Sequence, residues 1–293
     1  MLIATYRRPQ VSETLASLAR QEDLEGVRIS VVVVDNDSTP SAEAVVREAA
    51  KRTGLRLRYF HVAGANISIA RNAALEASGA EWLAFLDDDE VAEPGWLSGL
   101  LRAAADSGAD ASFGPVEAIY PSTAPRWMTR LDLHSNRPVL RGGRLLTGHT
   151  CNGLVRWRGT AWADLRFEEA LGRSGGEDTV FFFEAARLGM RMVSAPDAVV
   201  REVVAPDRLT FRWLARRRFR MGQSHARMAA TRLARAGLLA SAGAKGLYCG
   251  LRAAVGAFRV ERRNYWALRG ALHMGVMAGA LRVRQPVLYG GAE

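Results

Sequence analysis

The sequence predicts an α/β fold with a mostly parallel central sheet and helices on both faces, and three observations carry that prediction. Short apolar runs alternate with helical patterns through the first half of the chain, the signature of βα units. One of those runs, Ile29–Val34, is continuously β-branched or apolar apart from Ser30, as expected of a strand covered on both sides. Polar residues stand directly after several of the runs, at the carboxyl ends where open α/β sheets bind their ligands.

The elements follow in order. Leu2–Thr5 reads as the end of a strand, and Pro9 leads into an amphipathic helix with Val11, Leu15 and Leu18 inward. After the strand 29–34 comes a helix over about 41–53, and Arg56–Val62 alternates like a strand. A small-residue helix over 67–79 precedes the short buried strand Trp82–Leu86. Strand-like pieces at 111–119, 153–158 and 198–204 are separated by loops such as Arg141-Gly142-Gly143-Arg144. A helical run, Thr179–Leu188, lies among them, and Pro206-Asp207 marks a boundary. In the helix that follows, Phe211, Leu214, Met221 and Met228 share one stripe with Arg218 among them, and Arg216, Arg220 and Arg227 lie roughly opposite. The last fifty residues read as one or two helices. Two domains are therefore expected: 1–205, the α/β domain, and 206–293, a basic helical region.

The 293 residues carry a net charge of +10, unevenly spread. Residues 1–207 hold 23 Lys+Arg against 28 Asp+Glu, whereas 208–293 hold 17 against 2. Such asymmetry points to two regions with different partners: a solvated tail, nucleic acid, anionic lipid or a diphosphate-bearing acceptor for the second. Cys151 and Cys249 form neither a disulfide framework nor a zinc pattern, and a reducing, cytoplasmic setting follows. No signal peptide is expected at Met1, and the most apolar stretch, around 236–258, is broken by Lys245 and Arg252.

The chemistry concentrates at four places. Asp87-Asp88-Asp89-Glu90 follows directly on Trp82–Leu86. Consecutive carboxylates repel one another, and grouped oxygen donors suit Mg²⁺ or Mn²⁺ completed by substrate phosphates; the alternative is an acidic turn ahead of the next helix. Asp35-Asn36-Asp37-Ser38 follows the strand 29–34 and reads either as a ligand site or as an Asx-turn. Arg71-Asn72 sits near a helix start, where an arginine can grip a phosphate; the alternative is a surface pair with Glu76. Gly175-Gly176-Glu177-Asp178 opens a helix and offers either dipole-favoured caps or a general base.

In combination these pieces resemble family 2 glycosyltransferases. The matching segments are Ile3-Ala4-Thr5-Tyr6-Arg7-Arg8-Pro9, Val33-Val34-Asp35-Asn36-Asp37-Ser38, Ala70-Arg71-Asn72-Ala73-Ala74, Phe85-Leu86-Asp87-Asp88-Asp89 and Gly176-Glu177-Asp178, in the family's order. Asn66-Ile67-Ser68-Ile69 ahead of Ala70 is most similar to the exopolysaccharide-building branch. The resemblance implies the GT-A fold and an inverting transfer of a sugar from a nucleotide-diphosphate donor, UDP-hexose being expected, to an acceptor hydroxyl. It places the donor on Thr5, Tyr6, Arg8, Asp35, Arg71, Asp87 and Asp88, a Mg²⁺ or Mn²⁺ on Asp89 and Asp87, and the catalytic base at Asp178. Arg218 is the candidate for a further diphosphate contact. Arg7 and Asp88 depart from the common pattern without removing a role. The implied acceptor is a glycan or polyprenyl-diphosphate-linked sugar, with the basic region touching an anionic membrane from the cytoplasmic side and no nucleic acid as partner. A sugar nucleotidyltransferase is the first rival, weakened because no glycine stands in Thr5-Tyr6-Arg7-Arg8-Pro9; a basic nucleic-acid-binding protein is the second.

Overall fold

A computed structural model describes residues 1–229, 231–283 and 285. The chain runs β1 (Leu2–Thr5), α1 (Val11–Leu18), β2 (Val31–Asp35), α2 (Glu43–Thr53), β3 (Leu57–His61), α3 (Ile67–Ala77), β4 (Trp82–Leu86), β5 (Glu90–Ala92), α4 (Trp96–Ser107), β6 (Ala111–Phe113), β7 (Val116–Ile119) and α5 (Arg126–Leu131). It continues through the small hairpin β8 (Leu140–Arg141) and β9 (Arg144–Leu145), then β10 (Asn152–Arg156), α6 (Glu177–Arg187), β11 (Met192–Ser194) and β12 (Val200–Val203). The last described elements are three helices, α7 (Phe211–Arg227), α8 (Arg232–Val255) and α9 (Val260–Ala280). By contacts the described residues divide into two units, Met1–Glu117 with Ser135–Glu202, and Ala118–His134 with the described residues from Val203 onward.

The first unit is organised by strand alternation. Its seven-stranded sheet has the order β11-β6-β10-β4-β1-β2-β3. β4, β1, β2 and β3 are parallel, while β10 runs antiparallel between β4 and β6. Successive side chains point to opposite faces, so Ile3, Val31, Val33, Ala84 and Leu86 pack with α1, α2 and α4. Leu2, Val32, Val34, Leu83 and Phe85 pack with α3 and α6 on the other side. The expected sheet with two helical faces is what this burial produces. Register then places the chemistry: Thr5 pairs with Asp35, and Leu2 with Phe85, so the segments after β1, β2 and β4 leave the same edge.

Two local expectations change. The single strand read over 111–119 is broken at Gly114-Pro115, because a Cβ on Gly114 would lie 2.0 Å from the Ala198 carbonyl oxygen. Asn152, fully buried, holds this junction by donating to Pro115 O and Ala198 O at 2.9 and 2.7 Å. Residues 118–134, sequentially inside the first region, cluster with the C-terminal helices.

In the second unit the buried face of α7 is not the expected large-residue stripe. Leu214 is buried, but Phe211 and Met221 are exposed, and the inward line continues through Gly222 and Ala226. Hydrophobicity identified the large residues, whereas close helix approach selects small ones. A Cβ on Gly275 of α9 would lie 1.8 Å from Phe219 O, and one on Gly222 would lie 2.1 Å from Leu272 O. Gly275→Ala is therefore expected to force α7 and α9 apart and to cost on the order of 1–3 kcal/mol. Urea unfolding of the variant checks this; an unchanged midpoint would show that the helices tolerate separation.

Candidate functional site

Four carboxylates in a row after β4 are accommodated by a turn between β4 and β5, closed by the Glu90 amide donating to Asp87 O at 3.4 Å, which sends their side chains in different directions. Asp88 and Glu90 turn inward and are 7% and 2% exposed. The side chains of Asp87 and Asp89 keep 40% and 18% exposure. Each finds a different solution. Thr5 Oγ1 donates to Asp88 Oδ2 at 2.7 Å, and burial pushes the Asp88 pKa up to about 7 against the pull of Arg8. Glu90 accepts the Asp87 amide at 2.9 Å and is raised well above the usual carboxylate range, first by burial and then by Asp87. Asp89 is paired with Arg8, whose Nε also lies 3.7 Å from Asp88 Oδ1. Burial works against the Arg8 charge, but Asp89 and Asp88 raise its pKa.

Asp87 is held by Arg71, Nη2 to Oδ1 at 3.3 Å, and Arg71 Nη1 donates to Glu177. The expected alternative for Arg71, a surface pair with Glu76, does not form; Arg71 is 9% exposed, and Glu76 pairs with Arg166 at 3.6 Å. Burial nevertheless raises the Asp87 and Glu177 pKa values, with Arg71 opposing in both cases. Arg71 thus ties the acidic segment after β4 to the start of α6, and Glu177 Oε2 remains buried with no partner among the described residues. Asp178, next in sequence, accepts the Thr179 amide at 2.6 Å through Oδ1. Its charge acts on Asp87, Glu177, His149 and Cys151, which sets it at the same rim.

The loop after β2 takes the Asx-turn form that the sequence left open. Asp35 is fully buried and accepts from Asp37 N at 3.0 Å, Ala42 N at 2.8 Å and Tyr59 Oη at 2.8 Å. Its carboxylate thus shapes the loop. Arg7, with φ +53°, turns to donate to both Asp37 oxygens at 3.0 Å. Burial raises the Asp37 pKa, but the Ser38 amide and Arg7 together hold it below the usual range. A recess of about 240 Å³, lined by Arg7, Arg8, Pro9, Ser41, Ala42 and Val45, lies between the segments after β1 and β2. The Tyr6 ring lies 5.2 Å from the Arg7 guanidinium carbon.

The segment Asn66–Asn72 works mainly as a strap. Asn66 caps α3 through Ser68 N at 3.0 Å and donates to Glu169 O at 2.9 Å; Asn72 exchanges bonds with Phe167 O and N at 3.0 and 2.8 Å. These bonds fix the chain that leads to Glu177 and Asp178. Arg218 lies in the second unit beside Arg269 and Tyr265.

Whether the acidic segment suits a divalent ion depends on its donors. Among the described residues no three His, Cys, Asp or Glu side chains form a complete protein cage. Ions such as Mg²⁺ bind through one or two carboxylates and take the rest of their shell from phosphate and water. The two outward carboxylates, Asp87 and Asp89, fit that requirement, and the guanidinium on Asp89 shows that this carboxylate draws a cation.

One pair escaped the sequence reading. His149 Nδ1 lies 3.1 Å from Cys151 Sγ, and His149 Nε2 is buried without a partner among the described residues. Burial lowers the His149 pKa to about 4, against the attraction of Asp178, and keeps the Cys151 thiol well above its usual range. A neutral imidazole thus stands next to the start of α6; nothing in the spacing His-Thr-Cys signals it. Because the folded value lies below the ordinary 6.5, the unfolded chain takes up a proton that the folded chain refuses. The stability this group supports is complete above about pH 6.5 and is lost as pH falls to about 4, by at most roughly 3 kcal/mol. His149→Gln should flatten that loss in urea titrations across the window; parallel pH curves for both proteins would contradict it.

Comparison with known proteins accords with this geometry. Residues 1–174 match the model of glycosyl transferase family 2. The succinoglycan biosynthesis protein ExoM of Rhizobium meliloti is 44% identical over 99% of this chain and 95% of its own length. A putative glycosyltransferase of Bacillus subtilis, EpsH, is 26% identical over 36% of this chain and 30% of its own. Among solved structures, the mannosyltransferase PcManGT of Pyrobaculum calidifontis, in complex with GDP-Man and Mn²⁺, superposes with a TM-score of 0.66 at 19% identity, over 97% of this chain and 87% of that one. Residues 1–349 of S. aureus TarS, in complex with UDP-GlcNAc, give 0.52 at 16% identity, over 96% and 90%. At these identities the likeness is one of fold. The family match over the first 174 residues and the near full-length relative agree with the sheet edge just described: the chain belongs to glycosyl transferase family 2, with the GT-A fold.

Proposed function

We propose that this glycosyltransferase moves a hexose from a UDP-sugar to an acceptor hydroxyl with inversion, in the synthesis of a bacterial extracellular polysaccharide. The observation that carries the reading is the alternation after β4, which leaves Asp87 and Asp89 outward while Asp88 and Glu90 are buried. Asp87 and Asp89 would hold Mg²⁺ or Mn²⁺; when bound, such an ion neutralises charge developing on the departing diphosphate. Neighbouring folds bound to GDP-Man with Mn²⁺ and to UDP-GlcNAc support a nucleotide-sugar donor of this kind.

Thr5 and Tyr6 line the nucleoside side, with Asp35 shaping the loop there. Arg8 and Arg71 lie within reach of the phosphates, and Asp88 fixes Thr5. Asp178 takes the acceptor hydroxyl proton as its oxygen bonds to the anomeric carbon, opposite the breaking bond to diphosphate. Inversion follows from that single displacement. We assign nucleotide-sugar binding and catalysis to residues 1–205. The basic region 206–293 contacts an anionic membrane on the cytoplasmic side, where a glycan or polyprenyl-diphosphate-linked acceptor would be presented.

Asp178→Asn should retain donor binding and lose turnover by a hundred- to ten-thousand-fold; unchanged turnover would remove Asp178 from the chemistry. UDP with Mn²⁺ should raise the melting temperature and UDP with chelator should not, and Asp89→Ala should abolish the difference. Stabilisation by GDP instead would change the donor and keep the mechanism, whereas stabilisation by triphosphates alone would favour a nucleotidyltransferase.

A further inference from the structure

The unit formed by α7, α8 and α9 carries a surface that catalysis does not use. One face of α8 packs on α9 through Leu238, Leu239, Ala242 and Cys249. The opposite face is apolar and uncovered: Leu233, Leu247, Leu251 and Val255 are 84, 68, 59 and 81% exposed. At about 100° per residue these four fall within an arc of roughly 80° along some 33 Å of helix. Gly237, Ala240 and Ala244 complete the line, so no charge interrupts it. Phe258, just past the helix, is fully exposed.

Its borders identify the occupant. α8 contains Arg232, Arg235, Lys245 and Arg252 and no acidic residue. Arg252 stands over Trp266 at 5.1 Å and Tyr248 at 5.9 Å, and Arg269 over Trp266 and Tyr265 at 5.8 and 5.7 Å. Arg218 lies near Arg269, a second cation beside the first. An uncovered apolar stripe flanked by cations and by amphipathic aromatic rings matches the headgroup boundary of an anionic bilayer. A second copy would bring the same positive borders against these and repel them. No described helix is long and apolar enough to cross a membrane, so the surface is one that lies on it.

We propose that α8 docks this enzyme on anionic lipid, its Leu233–Val255 face in the headgroup layer and Arg252, Arg269 and Lys245 toward lipid phosphates. The inference rests on the membrane placement proposed above and names the surface responsible.

Full-length protein would be sedimented with phosphatidylcholine vesicles, with and without a large fraction of phosphatidylglycerol, at low and high salt. Binding should require phosphatidylglycerol and weaken with salt. Leu247→Glu with Leu251→Glu should lower partitioning by at least about tenfold at an unchanged melting temperature, since both side chains are exposed. Lys245→Gln and Arg252→Gln should each lower it by roughly fivefold. The docking is overturned if wild-type protein ignores anionic vesicles at low salt, or if the double glutamate variant binds as before. It is equally overturned if sedimentation equilibrium shows a dimer that the glutamates dissociate, which would assign the face to a second copy. UDP-dependent thermal shifts on the same samples separate the two readings: lost vesicle binding with an intact shift removes only the docking, and the reverse removes only the donor assignment.

Discussion

The structure of the site depends on one problem, how four adjacent carboxylates are tolerated at the end of a buried strand. Coulomb repulsion at such spacing is severe wherever water is excluded. The turn between β4 and β5 divides the four into two pairs. Burial makes the inward pair harder to ionise: Asp88 is pushed up to about 7 and bonded to Thr5, and Glu90 is raised well above its usual range. The outward pair keeps cationic partners, Arg71 for Asp87 and Arg8 for Asp89. Everything else at the rim follows from who supplies those partners.

Arg8 comes from the segment after β1, and Arg71 from α3, so three strand–helix connections are tied together by charge. Arg71 extends the chain of pairs to Glu177 and thereby to the start of α6, where Asp178 stands. Removing one partner of a buried pair costs far more than the pair is worth. Arg71 is therefore structural, and on the proposed assignment functional as well, because the contact that ties down α6 also holds its start close to Asp87.

Much of this was legible beforehand. Strand alternation in Leu2–Thr5, the β-branched run and Trp82–Leu86 gave the sheet, since burial on both faces leaves a direct mark on composition. The positions of Thr5, Asp35 and Asp87–Asp89 at one edge followed from parallel strands. Partners were not legible: that Arg71 would reach Glu177 across 106 residues, or that His149 would sit beside Cys151 near Asp178, has no local signature. Nor was the buried face of α7, where Gly222 and Ala226 serve close packing that a hydrophobic pattern does not register. Asp35 was read as either ligand site or turn residue, and its bond from Tyr59, 24 residues away, has no local signature either.

The same charge accounting bears on why the proposed donor and metal should arrive together. In the protein as it stands, Arg7, Arg8 and Arg71 are already committed to carboxylates. A nucleotide diphosphate adds negative charge beside Asp87, Asp89 and Asp178, and these three arginines would have to leave a carboxylate to meet it. Either Arg8 leaves Asp89 for the phosphates, which uncovers that carboxylate, or a new cation enters between them. Both routes create a site for a divalent ion at Asp87 and Asp89 only when the diphosphate is present. Affinity for either partner alone is therefore low on the proposed assignment, and each raises the other's by the same factor, as linkage requires.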